Sequence, residues 1–160
     1  MVIQLRIDDR LIHGEVVVMW LNYTNADVVL VADDETANNA MLKNAMKLAK
    51  PQGVAMPIMT IEKTIASLNE KGDGQKRIFV VTKNAQNARK IAESVPSVKE
   101  VNIGAMRSSV GKKQVALKVF MDDKDIEDLK YLENMGKKVY QQTKPDIQPV
   151  YLKDLVEKLK

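Results

Sequence analysis

The stretch Asp27-Val28-Val29-Leu30-Val31-Ala32 decides the fold class, because its last five residues form a continuous apolar run, three of them β-branched. A second run of the same kind is Arg77-Ile78-Phe79-Val80-Val81-Thr82. A strand with one face in water alternates apolar and polar residues, whereas continuous runs are typical of strands buried on both faces of a parallel sheet. Parallel strands need crossover helices, which pack on the faces of the sheet.

The rest of the chain alternates strands and helices in the same way. We predict strands at 2–7, 27–32, 53–58, 77–82, 99–103 and 138–142, with one more near 115–120. Helices are predicted at 15–24, 34–49, 60–71, 84–95, 122–135 and 151–159. Expected N-caps are Asp33, Thr60, Asn84 and Asp122, and glycines that follow helices are Gly72, Gly74 and Gly136. The predicted fold is α/β, a single open, mostly parallel sheet of about six to seven strands with helices on both faces, in one domain over residues 1–160.

Composition bounds the function. The chain has 160 residues, of which 45% are hydrophobic and 29% charged, which argues against disorder. The absence of cysteine excludes disulfides, thiol catalysis and cysteine-ligated metals. No apolar stretch approaches the roughly 20 residues of a membrane span, and the N-terminus lacks the order of a signal peptide. We therefore expect a soluble cytoplasmic protein without membrane insertion of its own, and no metal or cofactor.

The net charge of +4 raises the question of nucleic acid. The lysines are mingled with acids, as in residues 122–128, and aromatic residues make up only 4%, so little material exists for base stacking. We expect no nucleic-acid partner. A solvated surface explains such charges, and a mild basic excess also speeds docking to an acidic protein. The loop 104–113, with two glycines and three cations, is either a second anion-contacting loop or a mobile surface loop.

The chain's only histidine lies in the stretch Arg10-Leu11-Ile12-His13-Gly14-Glu15-Val16, between the first strand and the first helix. Unpaired N–H groups and the helix dipole favour an anion at such a position. Arg6, Asp8 and Arg10 add two guanidiniums, whose planar donors match phosphate oxygens, and a carboxylate that can hold one of them. The alternative is an ordinary loop histidine that bonds water or backbone.

Other polar residues are expected at the same edge of the sheet. In open parallel sheets, ligands gather at the carboxyl ends of the strands. His13 follows the first predicted strand, Asp33 the second and Gly104 the fifth. Asn38 is predicted to lie in the first turn of the helix after Asp33 and to face the same crevice.

A phosphoryl-aspartate receiver is a rival interpretation of this edge. Receivers combine an acidic pair, an acceptor aspartate, a threonine or serine and a lysine at strand ends, and Asp33-Asp34 with Thr82-Lys83 imitates part of that set. The order is wrong, because the acidic pair of a receiver follows its first strand. A binding module without chemistry is a third possibility, which leaves the arginines of the loop unexplained.

The stretch Arg6-Ile7-Asp8-Asp9-Arg10-Leu11-Ile12-His13-Gly14 resembles the active-site loop of the IIB components of the mannose/fructose/sorbose family of the bacterial phosphoenolpyruvate-dependent sugar phosphotransferase system (PTS). The segments 29–38 and 101–106 are similar to two further parts of that family, so the resemblance covers nearly the whole chain. It implies that His13 accepts a phosphoryl group through Nδ1 from the IIA component and passes it to a sugar held by the membrane components IIC and IID. It also implies a cytoplasmic protein that meets the inner face of the membrane through this permease.

Within that resemblance, Arg10 and the backbone N–H groups from Gly14 onward are expected to stabilise the transferring group. Asp8 is expected to fix the loop. Weaker contributions to phosphate or edge binding are expected from Arg6, Gly14, Asp33 and Asn38. One residue departs from the family pattern, since Glu15 stands where glutamine is usual, and a carboxylate close to a phosphorylated His13 would repel it.

Overall fold

The computed structural model describes residues 1–71 and 74–159, which begin with a strand and end with a helix. The strands are β1 (Val2–Asp8), β2 (Val28–Ala32), β3 (Ile58–Met59), β4 (Ile78–Thr82), β5 (Glu100–Ala105), β6 (Lys113–Ala116), β7 (Val119–Met121), β8 (Lys138–Gln141) and β9 (Val150–Tyr151). The helices are α1 (Gly14–Thr24), α2 (Asp34–Asn38), α3 (Ala40–Leu48), α4 (Ile61–Lys71), α5 (Ala85–Ser94), α6 (Asp123–Asn134) and α7 (Leu152–Glu157). Gly72, expected to follow a helix, lies outside the described residues.

Seven strands form one sheet in the order β3-β2-β4-β1-β5-β8-β9. All pairs are parallel except β8 with β9, and β6 and β7 form a separate antiparallel hairpin. The predicted open, mostly parallel sheet is therefore confirmed. The chain leaves β1 towards β2 on one side, whereas it leaves β4 towards β5 on the other. The strand order thus reverses between β1 and β4, and the loop after β1 begins at this reversal.

Alternation along the strands explains the continuous apolar runs. In β2, Leu30 packs in a core cluster with residues of α4 to α7, whereas Val29 and Val31 pack on the other face with α1. Trp20 of α1 anchors that second cluster and is almost fully buried. Because both faces are covered by helices, successive side chains of β2 are all apolar, as the sequence predicts.

Two predicted elements are shorter or divided. The strand predicted at 53–58 is reduced to the two residues of β3, because Pro57 has no N–H to contribute to the ladder. The helix predicted at 34–49 breaks at Asn39, which is extended (φ −119°) and whose side chain accepts a hydrogen bond from Leu42 N at 3.1 Å. An asparagine side chain competes in this way with the backbone bonds of a helix.

The strand predicted near 115–120 is instead the hairpin of β6 and β7, which turns at Lys118 with φ +63°. The short edge strand β9 is absent from the prediction, because two residues after a proline show no periodicity. The N-caps at Asp33, Asn84 and Asp122 are confirmed by their bonds to helix N–H groups, and Thr60 Oγ1 accepts from Lys63 N at 3.1 Å. Among the described residues, no helix is both long and apolar enough to cross a membrane.

Candidate functional site

His13 lies at the carboxyl edge of the sheet, where the chain passes from β1 to α1. It is the N-cap residue of α1, with extended backbone (φ −138°, ψ 104°), and its exposed side chain makes no capping hydrogen bond. Gly14 follows with φ +51°, a left-handed conformation that glycine adopts without strain. The imidazole is therefore presented to solvent at the positive end of a helix dipole, beside N–H groups of the first turn.

The loop before His13 is held in a tight turn. Leu11 N donates to Asp8 O at 2.9 Å, and Leu11 itself has φ +60°, which costs roughly 1–2 kcal/mol for a residue with a side chain. Burial offsets this strain, since Leu11 and Ile12 are both buried against Trp20 and its neighbours. Two apolar anchors directly before His13 thus fix the loop without taking part in any chemistry.

Asp8 and Arg10 form the closest charged pair to His13 in the sequence. The buried Asp8 carboxylate accepts from Arg10 N at 2.9 Å, from Nε at 3.1 Å and from Nη2 at 3.2 Å. The hydrogen bonds to this carboxylate outweigh partial burial and raise the pKa of Arg10. The guanidinium is held in one orientation while about a third of the side chain stays exposed. Arg10 therefore retains free N–H donors for an anion at the edge.

A second arginine reaches the same loop from another part of the chain. Arg107, just after β5, donates from Nε to Asp9 Oδ2 at 2.6 Å, and Asp9 N donates to Ala105 O at 3.1 Å. The sequence prediction missed this pair, because no local pattern joins residues 98 positions apart. Only the placement of three cations in the loop 104–113 hinted at it. The adjacent carboxylates of Asp8 and Asp9 thus pair with two different arginines, Arg10 and Arg107.

Arg6 lies beneath the loop and not at its surface. It is only 3% exposed, and it donates from Nη1 to Gln142 O at 2.9 Å and from Nη2 to Thr143 O at 3.2 Å. Its guanidinium also stacks over Trp20, 5.1 Å from the ring centroid. Burial lowers the pKa of Arg6 to about 10. Arg6 is therefore a buried, positively charged residue that connects β1 to the segment after β8, and the structure does not bring it to the solvent-exposed edge of the sheet.

Gly104 makes room for Arg6. A Cβ at this glycine would lie 2.6 Å from Arg6 Cζ and Nη2, closer than side-chain carbons pack. Gly104 is predicted to follow the fifth strand, but it lies inside β5, and a glycine inside a strand is the signal for such a close approach. Asn102, two residues earlier, accepts from Gln142 N at 3.1 Å and fixes the same segment.

The edge near β2 is occupied by helix caps. The Asp33 carboxylate accepts from Thr36 N at 3.0 Å and Thr36 Oγ1 at 2.7 Å, with Lys83 Nζ at 3.4 Å. Asp34 Oδ1 accepts from Ile61 N at 2.8 Å. The two carboxylates thus point to different helix N-termini and do not converge, which removes the basis of the receiver interpretation. Asn38 is exposed and is the last residue of α2, so its predicted place in the first turn is wrong.

The chain is similar to known proteins over nearly its whole length. Residues 2–160 match the family model described as the PTS system sorbose subfamily IIB component. The chain is 37% identical over 150 residues to the N-acetylgalactosamine-specific phosphotransferase enzyme IIB component 1 of Escherichia coli K12, and the match covers 93% of this chain and 94% of that relative. The crystal structure of the IIBSor domain of the sorbose permease from Klebsiella pneumoniae superimposes with a TM-score of 0.93 at 25% identity, covering 100% of this chain and 98% of that one.

A fused relative shows a similar segment inside a longer protein. The mannose-specific EIIAB component of Escherichia coli K12 is 34% identical over 131 residues, which are 82% of this chain and 41% of that relative. The match therefore accounts for less than half of the fused protein.

Proposed function

The chain belongs to the IIB components of the PTS sorbose subfamily, which act in sugar phosphotransfer, and from this premise we propose that His13 is its phosphoryl-carrying residue. One observation carries the proposal. The only imidazole of the chain is exposed at the N-terminus of α1, at the reversal of strand order, with Arg10 fixed in orientation three residues before it. No other side chain of this sequence can form a phosphohistidine.

In the first transfer, the Nδ1 lone pair of His13 attacks the phosphorus carried by a phosphohistidine of the IIA component. The new N–P bond forms as the old one breaks in line with it, and the donor imidazole leaves with its electron pair. Charge on the three equatorial oxygens is stabilised by first-turn N–H groups of α1, beginning at Gly14, and by free donors of Arg10. Asp8 orients Arg10, and Arg6 contributes a buried positive charge from below.

In the second transfer, a sugar hydroxyl held by the membrane components IIC and IID attacks the same phosphorus. The O–P bond forms as the N–P bond breaks, the imidazole of His13 leaves with its electron pair, and the hydroxyl proton passes to solvent. The fused mannose-specific EIIAB relative supports a IIA partner for this domain, because its name joins the A and B functions in one protein. The activity is that of a protein-Nπ-phosphohistidine–sugar phosphotransferase of the mannose/fructose/sorbose class. It takes place in the cytoplasm, at the inner face of the membrane where the permease lies.

The test is phosphoryl labelling from radioactive phosphoenolpyruvate in the presence of the general phosphotransferase proteins and a matching IIA. We expect one label per chain, and none on His13→Ala. The His13→Ala protein should melt at the wild-type temperature, because the side chain is exposed and caps nothing. Undiminished labelling of a folded His13→Ala protein would refute the assignment.

A further inference from the structure

The segment from Met106 to Met121, here called the basic arm, has a charge unlike the rest of the chain. It contains Arg107, Lys112, Lys113 and Lys118 and no acidic residue, so its formal charge equals the net charge of +4 of the whole protein. Arg107 is paired with Asp9, and Lys112 Nζ lies 2.9 Å from Asp125 Oδ2. Within the described part of the chain, Lys113 and Lys118 pair with no acid, and both are exposed.

The hairpin part of the basic arm, β6 and β7, is folded against the core, whereas residues 107–112 are irregular. Val115, Val119 and Met121 point inward and are at most 2% exposed, within the larger core cluster. The turn of the hairpin is tied to β5, since Met106 N donates to Lys118 O and Phe120 N donates to Met106 O, both at 2.9 Å. Lys113 and Lys118 lie on this hairpin, so little ordering is needed there when a partner binds.

The basic arm borders the loop that carries His13. The ion pair of Arg107 with Asp9 joins them at 2.6 Å, and a cleft of about 240 Å³ between them is lined by Arg10, Lys118 and Phe120 in addition. Leu117 at the turn of the hairpin is 77% exposed, and Val110 is fully exposed. Arg10 is three residues from His13, so the arm lies beside the loop to which a phosphorus atom would be brought.

We propose that the basic arm is the docking surface for the phosphorylated IIA component, through an acidic face that also offers apolar contact to Leu117. This inference rests on the proposed function. Charge decides between IIA and the permease. A phosphoryl group adds about −1.5 to −2 charges, and at the first encounter it sits on IIA, opposite an arm with unpaired lysines. After transfer the same negative charge lies on His13 and partly neutralises the positive charge of the basic arm. The basic arm then attracts IIA less strongly, and it contributes less to the later encounter with the permease.

The test compares two double variants of the full chain. Lys113→Gln/Lys118→Gln neutralises the arm. Lys47→Gln/Lys99→Gln is the matched control, because these exposed lysines lie late in α3 and directly before β5, at the amino edge of the sheet. Transfer from radioactive phospho-IIA is followed by rapid quench against IIA concentration and salt. Circular dichroism and melting temperature confirm that all variants are folded.

We expect the arm variant to lose about tenfold in second-order rate constant at low salt, with the saturated transfer rate unchanged. The difference should vanish near about 0.5 M salt, and the control variant should match the wild type. Equal rates for arm variant and wild type, or an equal loss in the control, would overturn the proposal. So would a loss confined to sugar phosphorylation by permease vesicles, which would make the permease the occupant. A wild-type protein that takes no label at His13 would instead overturn the proposed function.

Discussion

Replacing Gly104 by alanine tests how the edge of the sheet is supported from below. The new Cβ would lie 2.6 Å from Arg6 Cζ and Nη2 and 2.8 Å from Nε, so the guanidinium would have to move by nearly 1 Å. The guanidinium is held by hydrogen bonds to Gln142 O and Thr143 O of 2.9 and 3.2 Å, and it lies 5.1 Å from the centroid of the Trp20 ring. A shift of that size would break at least one of these hydrogen bonds.

Losing a hydrogen bond from a charged, buried donor costs about 1.5–3 kcal/mol, and overpacking of a dense site costs about 1–3 kcal/mol. Since the two effects overlap, Gly104→Ala should lower the free energy of unfolding by about 2–4 kcal/mol. Gly74→Ala is the matched control, because a Cβ there meets only Lys71 O, at an ordinary 3.5 Å. Its unfolding free energy should stay within about 0.5 kcal/mol of wild type.

The assay is urea denaturation of five proteins. They are the wild type, Gly104→Ala, Gly74→Ala, Arg6→Met and the double variant Arg6→Met/Gly104→Ala. If the clash with Arg6 is the cause, the alanine should destabilise the Arg6→Met background by at least about 1 kcal/mol less than the wild-type background. A Gly104→Ala protein as stable as wild type, or a penalty that is the same in both backgrounds, would refute the reasoning.

Three further outcomes are expected. Arg10→Lys keeps the charge but loses the paired guanidinium donors that Asp8 orients, so the rate of transfer to His13 should fall by about 10- to 1,000-fold with the fold intact. The rate is measured by rapid quench, and an unchanged rate would make Arg10 structural. The label should be acid-labile, alkali-stable and insensitive to a chelator, and Asp33→Asn should retain it; an alkali-labile, chelator-sensitive label would contradict a phosphohistidine. Burial would raise the pKa of Asp128, but hydrogen bonds from Arg89 and two neighbours outweigh it and hold that pKa below its ordinary value. The carboxylate therefore stabilises the fold above about pH 4, and this stabilisation is lost as pH falls further. The gap in unfolding free energy between wild type and Asp128→Asn should narrow below about pH 4, and a gap that stays constant into acid pH would contradict this origin.

Those parts of the fold that follow from local pattern were predictable. β2 and β4 are continuous apolar runs because both faces of the sheet are covered, and that composition is visible in any window of the sequence. The errors arise where a single residue overrides the pattern. Pro57 shortens β3, and Asn39 ends α2 and caps α3, although the helical periodicity continues through it. Whether one such side chain interrupts a strand or a helix depends on its tertiary contacts, and the periodicity of the sequence carries no information about those contacts.

The candidate site divides in the same way. Asp8 and Arg10 are two positions apart, so their pairing and their nearness to His13 follow from the sequence. The bonds that join Arg6 to Thr143 and Arg107 to Asp9 span 137 and 98 positions, and they depend on the strand order of the sheet. The sequence therefore predicts Arg6 at the edge of the sheet, whereas in the fold it is buried and bonded to a distant segment.

On the proposed function, the two adjacent acids of the loop explain how His13 could hold a phosphoryl group without trapping it. Asp8 holds Arg10 and Asp9 holds Arg107, and both arginines line the cleft beside the basic arm. Each guanidinium keeps its planar donors, but its charge is largely balanced. Unbalanced guanidiniums would stabilise phosphorylated His13 as well as the transition state, and such uniform binding would slow the second transfer. Balanced pairs favour the transition state, in which charge on the transferring oxygens needs oriented donors more than net attraction.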